Sequence, residues 1–349
     1  MDKIKAISYL ESSFISSLLE IEDVTDISYN GSDFYYVTNL GGRKKSDIKV
    51  EHQTVKDFLR QIANITEKQF SFSVPNLDVS FGKYRLNATH QSIGRLNDDG
   101  VVTFSLRIAS DKPRINDNSD FFTPEIARLL HFILSKRLSI VIGGITGSGK
   151  TEFQKYLIRN MPVNERVLVI DNVMELDQVR NEDIDLTCWQ VIEDNGNASA
   201  PVLIKNALRN NPDWLIVAEA RGEEMMNVLD SAMTGLPIIT TLHCYDAYSM
   251  PLRMGRMVLK NSSKLDYEET LNDIYYHFHF FIYLRKEMVR GVIKRYISEI
   301  HYVDNSGKRL EIYKRKKNKR IYKKIRGQIL QDLEGFDEDL ALKSCFGAN

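Results

Sequence analysis

At 349 residues the chain is long enough for two domains of ordinary size, and with 43% hydrophobic and 27% charged residues it can bury a core and is not disordered by composition. Lys and Arg (47) balance Asp and Glu (47), which excludes a uniformly basic nucleic-acid coat protein and an acidic tail protein. Cys188, Cys244 and Cys345 lie far apart with no C-x-x-C, which argues against a disulfide framework or a zinc ribbon and suits a reducing compartment.

The first residues, MDKIKAISYLESSF, lack an apolar segment of signal-peptide quality, and runs such as Leu138–Ile145 are too short to span a bilayer. A soluble, cytosolic, two-domain protein is expected. Val24–Tyr29, the Asn30-Gly31 turn and Asp33–Asn39, closed by Gly41-Gly42, read as a hairpin. Val55, Phe58, Leu59 and Ile62 recur at helical spacing and predict an amphipathic helix over 53–64. Val79–Thr89 and Val101–Ala109 read as later strands. An α+β domain over 1–110 is therefore expected, followed by a polar linker over 111–122 that contains Pro113.

From Thr123-Pro124-Glu125, a helix start with a capping hydroxyl and Pro in the first turn, the pattern changes. Four short apolar runs, LSIVI, RVLVI, WLIVA and LPIITTL, alternate with helical patterns, as strands buried on both faces of a parallel sheet do. The fold class expected is α/β, a domain over 123–305 beside the smaller α+β one. Residues 306–349 read as a basic, then acidic, tail. Lys308–Arg326 holds eleven Lys and Arg against Glu311 alone, a net of +10 that the remainder of the chain offsets. Such a run suits a solvated tail, a contact with anionic lipid headgroups, or nucleic-acid binding.

The strongest chemical signal is a complete G-x-x-x-x-G-K-[ST]: Gly144, Ile145, Thr146, Gly147, Ser148, Gly149, Lys150, Thr151. A strand precedes it, and a helix through Glu152–Arg159 follows. Its glycines let backbone N–H groups converge on phosphate oxygens at a helix N-terminus, where Lys150 reaches the β- and γ-phosphates and Thr151 ligates Mg²⁺. Acids stand at two further strand ends, Asp171 and Glu175 after RVLVI and Glu219 after WLIVA, where ligands bind in open α/β sheets. Two other patterns are set aside. His277-x-His279 lacks further metal ligands, and Cys244 beside His243 would point to the opposite face of a strand. The aromatic run Tyr275–Tyr283 reads as sheet packing.

The segment Leu208–Glu223, carrying Trp214–Glu219 and Arg221, resembles the Walker B region of the secretion and pilus traffic ATPases. The phosphate loop, Ile170–Leu176 (an Asp box ending on Glu175) and Thr234–His243 (a His box) resemble three more of their blocks, in order. Thr103–Ile108 resembles the strand that brings an arginine to the nucleotide. The resemblance covers about residues 20–300 and implies a RecA-like P-loop domain, ATP and Mg²⁺ as cofactors, and a homohexameric motor. Such a motor powers protein or DNA secretion, or pilus assembly, at the cytoplasmic face of the membrane against inner-membrane platform proteins. Basic residues in 308–326 would contact lipid, and no nucleic acid is obligatory. Carried over, Glu175 polarises water, Glu219 contacts the metal through water, His243 senses the γ-phosphate, and Arg107 (with Arg85 and Arg95 behind it) neutralises phosphoryl charge. Asn172, Ala218 and Leu236 depart from the family pattern and point to a slow or partner-stimulated enzyme. A nucleotide-gated assembly factor and a DNA-translocating ATPase are the alternatives. The lack of a C-x-x-C pair and the compact length favour the conjugation or tight-adherence branch.

Overall fold

The computed structural model describes residues 2–110, 113–117, 120–179, 181–192, 195–260, 265–304, 307–316, 319–323 and 345–346. Two compact units emerge: residues 1–112 with 288–294, and 113–287 with 295–349.

In unit 1, α1 (Lys3–Glu11) and α2 (Ser16–Leu19) precede β1 (Val24–Tyr29), β2 (Phe34–Thr38) and β3 (Arg43–Lys45). Next come α3 (His52–Ile65), β4 (Asn76–Phe81), β5 (Tyr84–Thr89), the short pair β6 (Arg95–Leu96) and β7 (Asp99–Gly100), and β8 (Thr103–Ile108). The large sheet runs β3-β2-β1-β8-β5-β4, antiparallel throughout. Val55, Phe58, Leu59 and Ile62, the predicted stripe of α3, are all buried against Leu86, Phe104 and Leu106 in the core of this unit. The stretch expected as one strand over 79–89 is two. Gly82, at φ +55°, turns the chain between β4 and β5, a conformation glycine adopts without strain.

In unit 2, α4 (Pro124–Ser135), β9 (Ile140–Gly144), α5 (Lys150–Arg159), β10 (Arg166–Asp171) and β11 (Asp185–Gln190) come first. They are followed by α6 (Ala200–Ala207), β12 (Trp214–Val217), α7 (Glu224–Met233) and β13 (Ile238–Leu242). The unit closes with α8 (Ser249–Leu259), α9 (Tyr267–His277), β14 (Phe280–Val289), β15 (Val292–Val303), β16 (Arg309–Lys316) and β17 (Lys319–Tyr322). The nine-stranded sheet is ordered β11-β10-β12-β13-β9-β14-β15-β16-β17. From β11 to β14 all neighbours are parallel. Successive strand residues divide between two cores. Ile140 and Ile142 pack with Leu129 of α4 and Phe153 of α5, while Val141 packs with Val228 of α7 and Met254 of α8. The sheet is therefore covered by helices on both faces, an α/β RecA-like arrangement.

Two boundaries differ from the sequence reading. The segment expected as a linker over 111–122 is not free beyond Pro113. Ile115, Phe121 and Phe122 are buried in the core of unit 2, and Tyr156 donates to Asp117 at 2.5 Å. Its three apolar side chains outweigh the polar composition around them. Residues 111, 112, 118 and 119 of that segment lie outside the described residues. The tail expected from 306 is strand over Arg309–Lys316 and Lys319–Tyr322, with Ile312 and Tyr313 buried. Four of its described cations find partners. Lys314 pairs with Glu311 at 2.7 Å, Lys323 with Glu311 at 2.9 Å, and Arg309 and Arg315 stack on Tyr248 and Tyr296 at 3.8 and 3.9 Å. The acidic stretch expected after Arg326, and Arg326 itself, lie outside the described residues. Among the described residues no helix is long and apolar enough to cross a membrane.

Candidate functional site

The site is built at the carboxyl edge of the parallel strands, and its base is β9. All five residues of β9 are buried, which fixes where the loop departs. Gly147 (φ +73°) and Gly149 (φ +99°) take left-handed backbone that a side chain would strain. A Cβ on Gly144 would fall 2.3 Å from Ser148 Oγ and 2.8 Å from the Leu284 carbonyl, so the loop closes tightly only on glycine. The first hydrogen bond of α5 runs from Phe153 N–H to the Gly149 carbonyl at 2.9 Å. The N–H groups of Lys150, Thr151 and Glu152 consequently have no acceptor within the helix, and they face the loop at the positive end of the helix dipole. Ile145, Thr146 and Gly147 form the exposed rim, and Ser148 is buried with its hydroxyl unpaired among the described residues. The Glu152 carboxylate is ion-paired with the buried Lys155 at 3.2 Å, so what this residue offers an anion is its backbone N–H.

Three strand ends meet around Lys150. Its Nζ donates to the Gly144 carbonyl at 3.1 Å and lies 3.4 Å from His243 Nδ1, just beyond β13. On its other edge His243 Nε2 is 3.0 Å from Glu219 Oε1, just beyond β12. Lysine can only donate, so Nδ1 accepts and the ring proton sits on Nε2, facing Glu219. That approach is too far out of line for a hydrogen bond, and Glu219 Oε1 is buried without one. Arg221 holds the other oxygen, Oε2, at 2.7 Å. Burial pushes the Glu219 carboxyl up, but the Arg221 hydrogen bond and the charges of Arg221 and Lys150 outweigh it and hold the group below its ordinary range. Burial, then Lys150, lowers His243 against the pull of Glu219, so the imidazole is neutral near neutral pH.

The acids after β10 behave differently. The buried Asp171 carboxylate accepts from the N–H groups of Val173 (3.0 Å), Glu175 (2.9 Å) and Leu176 (3.3 Å) and so organises its own loop, in which Met174 takes φ +58°. Glu175 is thereby set, half-buried, at the start of a single helical turn over Leu176–Gln178 that packs on α5. It stands at the same sheet edge as the phosphate loop.

The arginine candidates all belong to unit 1. Arg107, on β8, is about half exposed and 3.5 Å from Asp26. Arg85 is held in a two-pronged contact with Asp78, its shorter bond 3.1 Å, and Arg95 donates to the Gln91 and Gly94 carbonyls. Of the three, Arg107 has the longest contact. The patterns set aside behave as inert groups. Burial pushes the Cys244 thiol up to about 12. His277 ends α9 instead of sharing a strand face with His279, because the helix runs further than the aromatic pattern suggested. Tyr275 and Tyr276 lie in the same helix, while Phe280 and Phe281 are buried in β14. No group of three or more His, Cys, Asp or Glu among the described residues is arranged to hold a metal.

Three basic residues at the site are given no role by the sequence reading. Arg221 was visible two positions after Glu219. Lys286 and Arg295 had no local signal, because β14 and β15 bring them to the loop from more than 130 residues away: Arg295 Nε donates to the Gly147 carbonyl at 2.7 Å, and Lys286 Nζ would lie 3.0 Å from a Cβ on Gly147.

Residues 101–275 match the family described as "Type II/IV secretion system protein". The chain is 30% identical over 276 residues to an uncharacterized protein of Bacillus anthracis, covering 77% of this chain and 60% of that protein's length. It is 29% identical over 179 residues to the type IV secretion system protein VirB11 of Brucella suis, covering 50% of this chain and 49% of that protein. Among solved structures, the Legionella pneumophila ATPase DotB superposes with a TM-score of 0.64 at 21% identity, over 87% of this chain and 82% of its own.

Proposed function

This chain belongs to the type II/IV secretion system protein family, and from that premise we propose that it is an ATP-hydrolysing motor of a secretion or pilus apparatus. It works as a homohexamer at the cytoplasmic face of the inner membrane, against the platform proteins embedded there. The observation that carries this reading is the line Lys150–His243–Glu219–Arg221 beneath a phosphate loop, in which Ser148 Oγ and Glu219 Oε1 are buried and await partners. Buried polar groups without hydrogen bonds are costly, and here they flank the first N–H groups of α5 and a lysine, which together suit a triphosphate.

The donor set also fits Mg²⁺. The Thr151 hydroxyl and the Glu219 carboxylate are hard oxygen donors, too few to hold the ion alone, and Mg²⁺ usually completes its shell with phosphate oxygens and water. When bound, it would neutralise charge on the β- and γ-phosphates. Lys150 would exchange the Gly144 carbonyl and His243 for phosphate oxygens. Glu175 would accept hydrogen bonds from the attacking water and orient it. His243, relieved of Lys150, would register the terminal phosphate, and its loss on hydrolysis would let the original contacts re-form. Arg107 would neutralise the developing phosphoryl charge. Exposed Lys316, Lys319 and Arg320 at the sheet's edge are the cations on offer to an anionic lipid surface, and nothing in this reading calls for nucleic acid.

The test is the ATPase rate against protein concentration, with light scattering on the same samples, for wild type and Glu175→Gln. Rates per chain should climb as rings assemble and fall by about two to four orders of magnitude in the variant. Failure of the wild type to bind ATP would overturn the proposal. A second reading, a nucleotide-gated assembly factor with little turnover, draws on Asp171, whose carboxylate is spent on backbone where Asn172 supplies no second acid. Single-turnover hydrolysis separates the two, since a gate keeps its ATP for many minutes.

A further inference from the structure

Two cations, carried on adjacent strands and far from the loop in sequence, converge on Gly147. Arg295, near the start of β15, donates from Nε to the Gly147 carbonyl at 2.7 Å, and its Cδ would lie 3.8 Å from a Cβ on Gly149. Lys286 of β14 also reaches Gly147, its Nζ 3.0 Å from where a Cβ would stand. The bonded carbonyl belongs to the peptide joining Gly147 to Ser148, and the N–H of that same peptide donates to the Ile145 carbonyl at 3.2 Å. A peptide is planar, so holding both ends fixes its orientation. Without the outer hold, this peptide keeps only its Ile145 bond, and beside a glycine at φ +73° the loop leading into the N–H groups at the start of α5 is less firmly fixed.

Resting on the nucleotide reading above, we propose that Arg295 is a positioning residue that locks the Gly147–Ser148 peptide, and thereby sets how slowly nucleotide leaves the phosphate loop. Lys286 supports it by adding positive potential over the same glycine. Arg295 touches no reacting atom in this scheme. It acts through the backbone, so its removal is felt in nucleotide release more than in the chemical step.

The experiment is stopped-flow release of a fluorescent N-methylanthraniloyl ADP from the full chain, chased with unlabelled ADP. It compares wild type, Arg295→Ala, Arg295→Lys, Lys286→Ala and Lys150→Ala. A hydrogen bond from a charged donor predicts release about ten- to a hundredfold faster in Arg295→Ala, with association little changed. Arg295→Lys keeps the charge and should fall between the two. Millimolar guanidinium should slow release from Arg295→Ala and leave wild type unaffected, which loss of general packing would not produce. Lys286→Ala should quicken release by only about two- to fivefold, an effect that salt erodes. Equal release from wild type, Arg295→Ala and Arg295→Lys would overturn the proposal while leaving the nucleotide site intact. A wild type that binds no labelled ADP, or a Lys150→Ala variant that binds it as well as wild type, would overturn the nucleotide reading and this proposal with it.

Discussion

The loops that leave β10 and β12 begin alike, with an acid at or just beyond the end of a buried parallel strand, yet the two carboxylates do different work. Asp171 turns back on its own chain and takes three backbone N–H groups within five residues. Glu219 makes no such turn. It reaches Arg221 on one oxygen and leaves the other beside His243, whose far edge meets Lys150. One acid shapes the loop on which a second acid, Glu175, stands; the other lies in line with Lys150 through His243. An acid at a strand end is thus an address on the sheet, and its function depends on whether the following residues offer it backbone donors.

That contrast can be broken by experiment. The largest effect belongs to Glu219→Gln, which keeps the shape and removes the charge. Turnover should fall by about a hundredfold or more, while the urea midpoint moves less than in Asp171→Ala. A Glu219→Gln protein that hydrolyses ATP normally would remove Glu219 from the site. Asp171→Ala should show the reverse emphasis. Stranding three N–H groups at a buried turn should cost about 2 kcal/mol or more in unfolding free energy, with nucleotide affinity largely kept. If Asp171→Ala were as stable as wild type but inactive, the two loops would be equivalent after all.

The smallest effect concerns pH and sharpens the chain of contacts through His243. Burial and Lys150 hold His243 below the ordinary histidine range, so the folded state favours its neutral form. The stability this provides is complete above the unfolded-state value, about 6.5. It is lost as pH falls below that value and through the depressed folded-state one. Wild type should therefore lose stability on acidification relative to His243→Gln, measured as the difference in urea midpoint between the two proteins from pH 7.5 to about 5. A parallel course for both would show that neither burial nor Lys150 disfavours the charged ring. His90, His277 and His301 are also lowered by burial, so both proteins share an acid-side decline from which this difference must be read.

Much of the fold was legible because its determinants are local. The stripe of α3, the Thr123 cap and Pro124 of α4, and the uninterrupted apolar runs of β9, β10, β12 and β13 are each written within a dozen residues. The basic run misled because charge suggests solvent. Burial of Ile312 and Tyr313 and pairing with β15 instead hold it as strand, and four of its cations found Glu311, Tyr248 and Tyr296. The turn at Gly82 shows in the sequence as a change of phase, with Val79 and Phe81 buried before it and Tyr84 and Leu86 after it.

By itself the sequence determined the course of the phosphate loop, since glycine at 147 and 149 answers a local demand of backbone torsion and Ser148 crowds Gly144 from within the same segment. It also determined the strands, since period and apolar run length are properties of a segment. Only the tertiary structure decided the partners of each charge: that Asp171 turns inward while Glu219 faces Lys150, that Glu152 is taken by Lys155, and that Arg295 holds Gly147. The reason is one of range. Torsional and hydrophobic preferences act over a few residues of chain, whereas an ionic or hydrogen-bonded partner is chosen by distance in space, which the order of strands in the sheet sets.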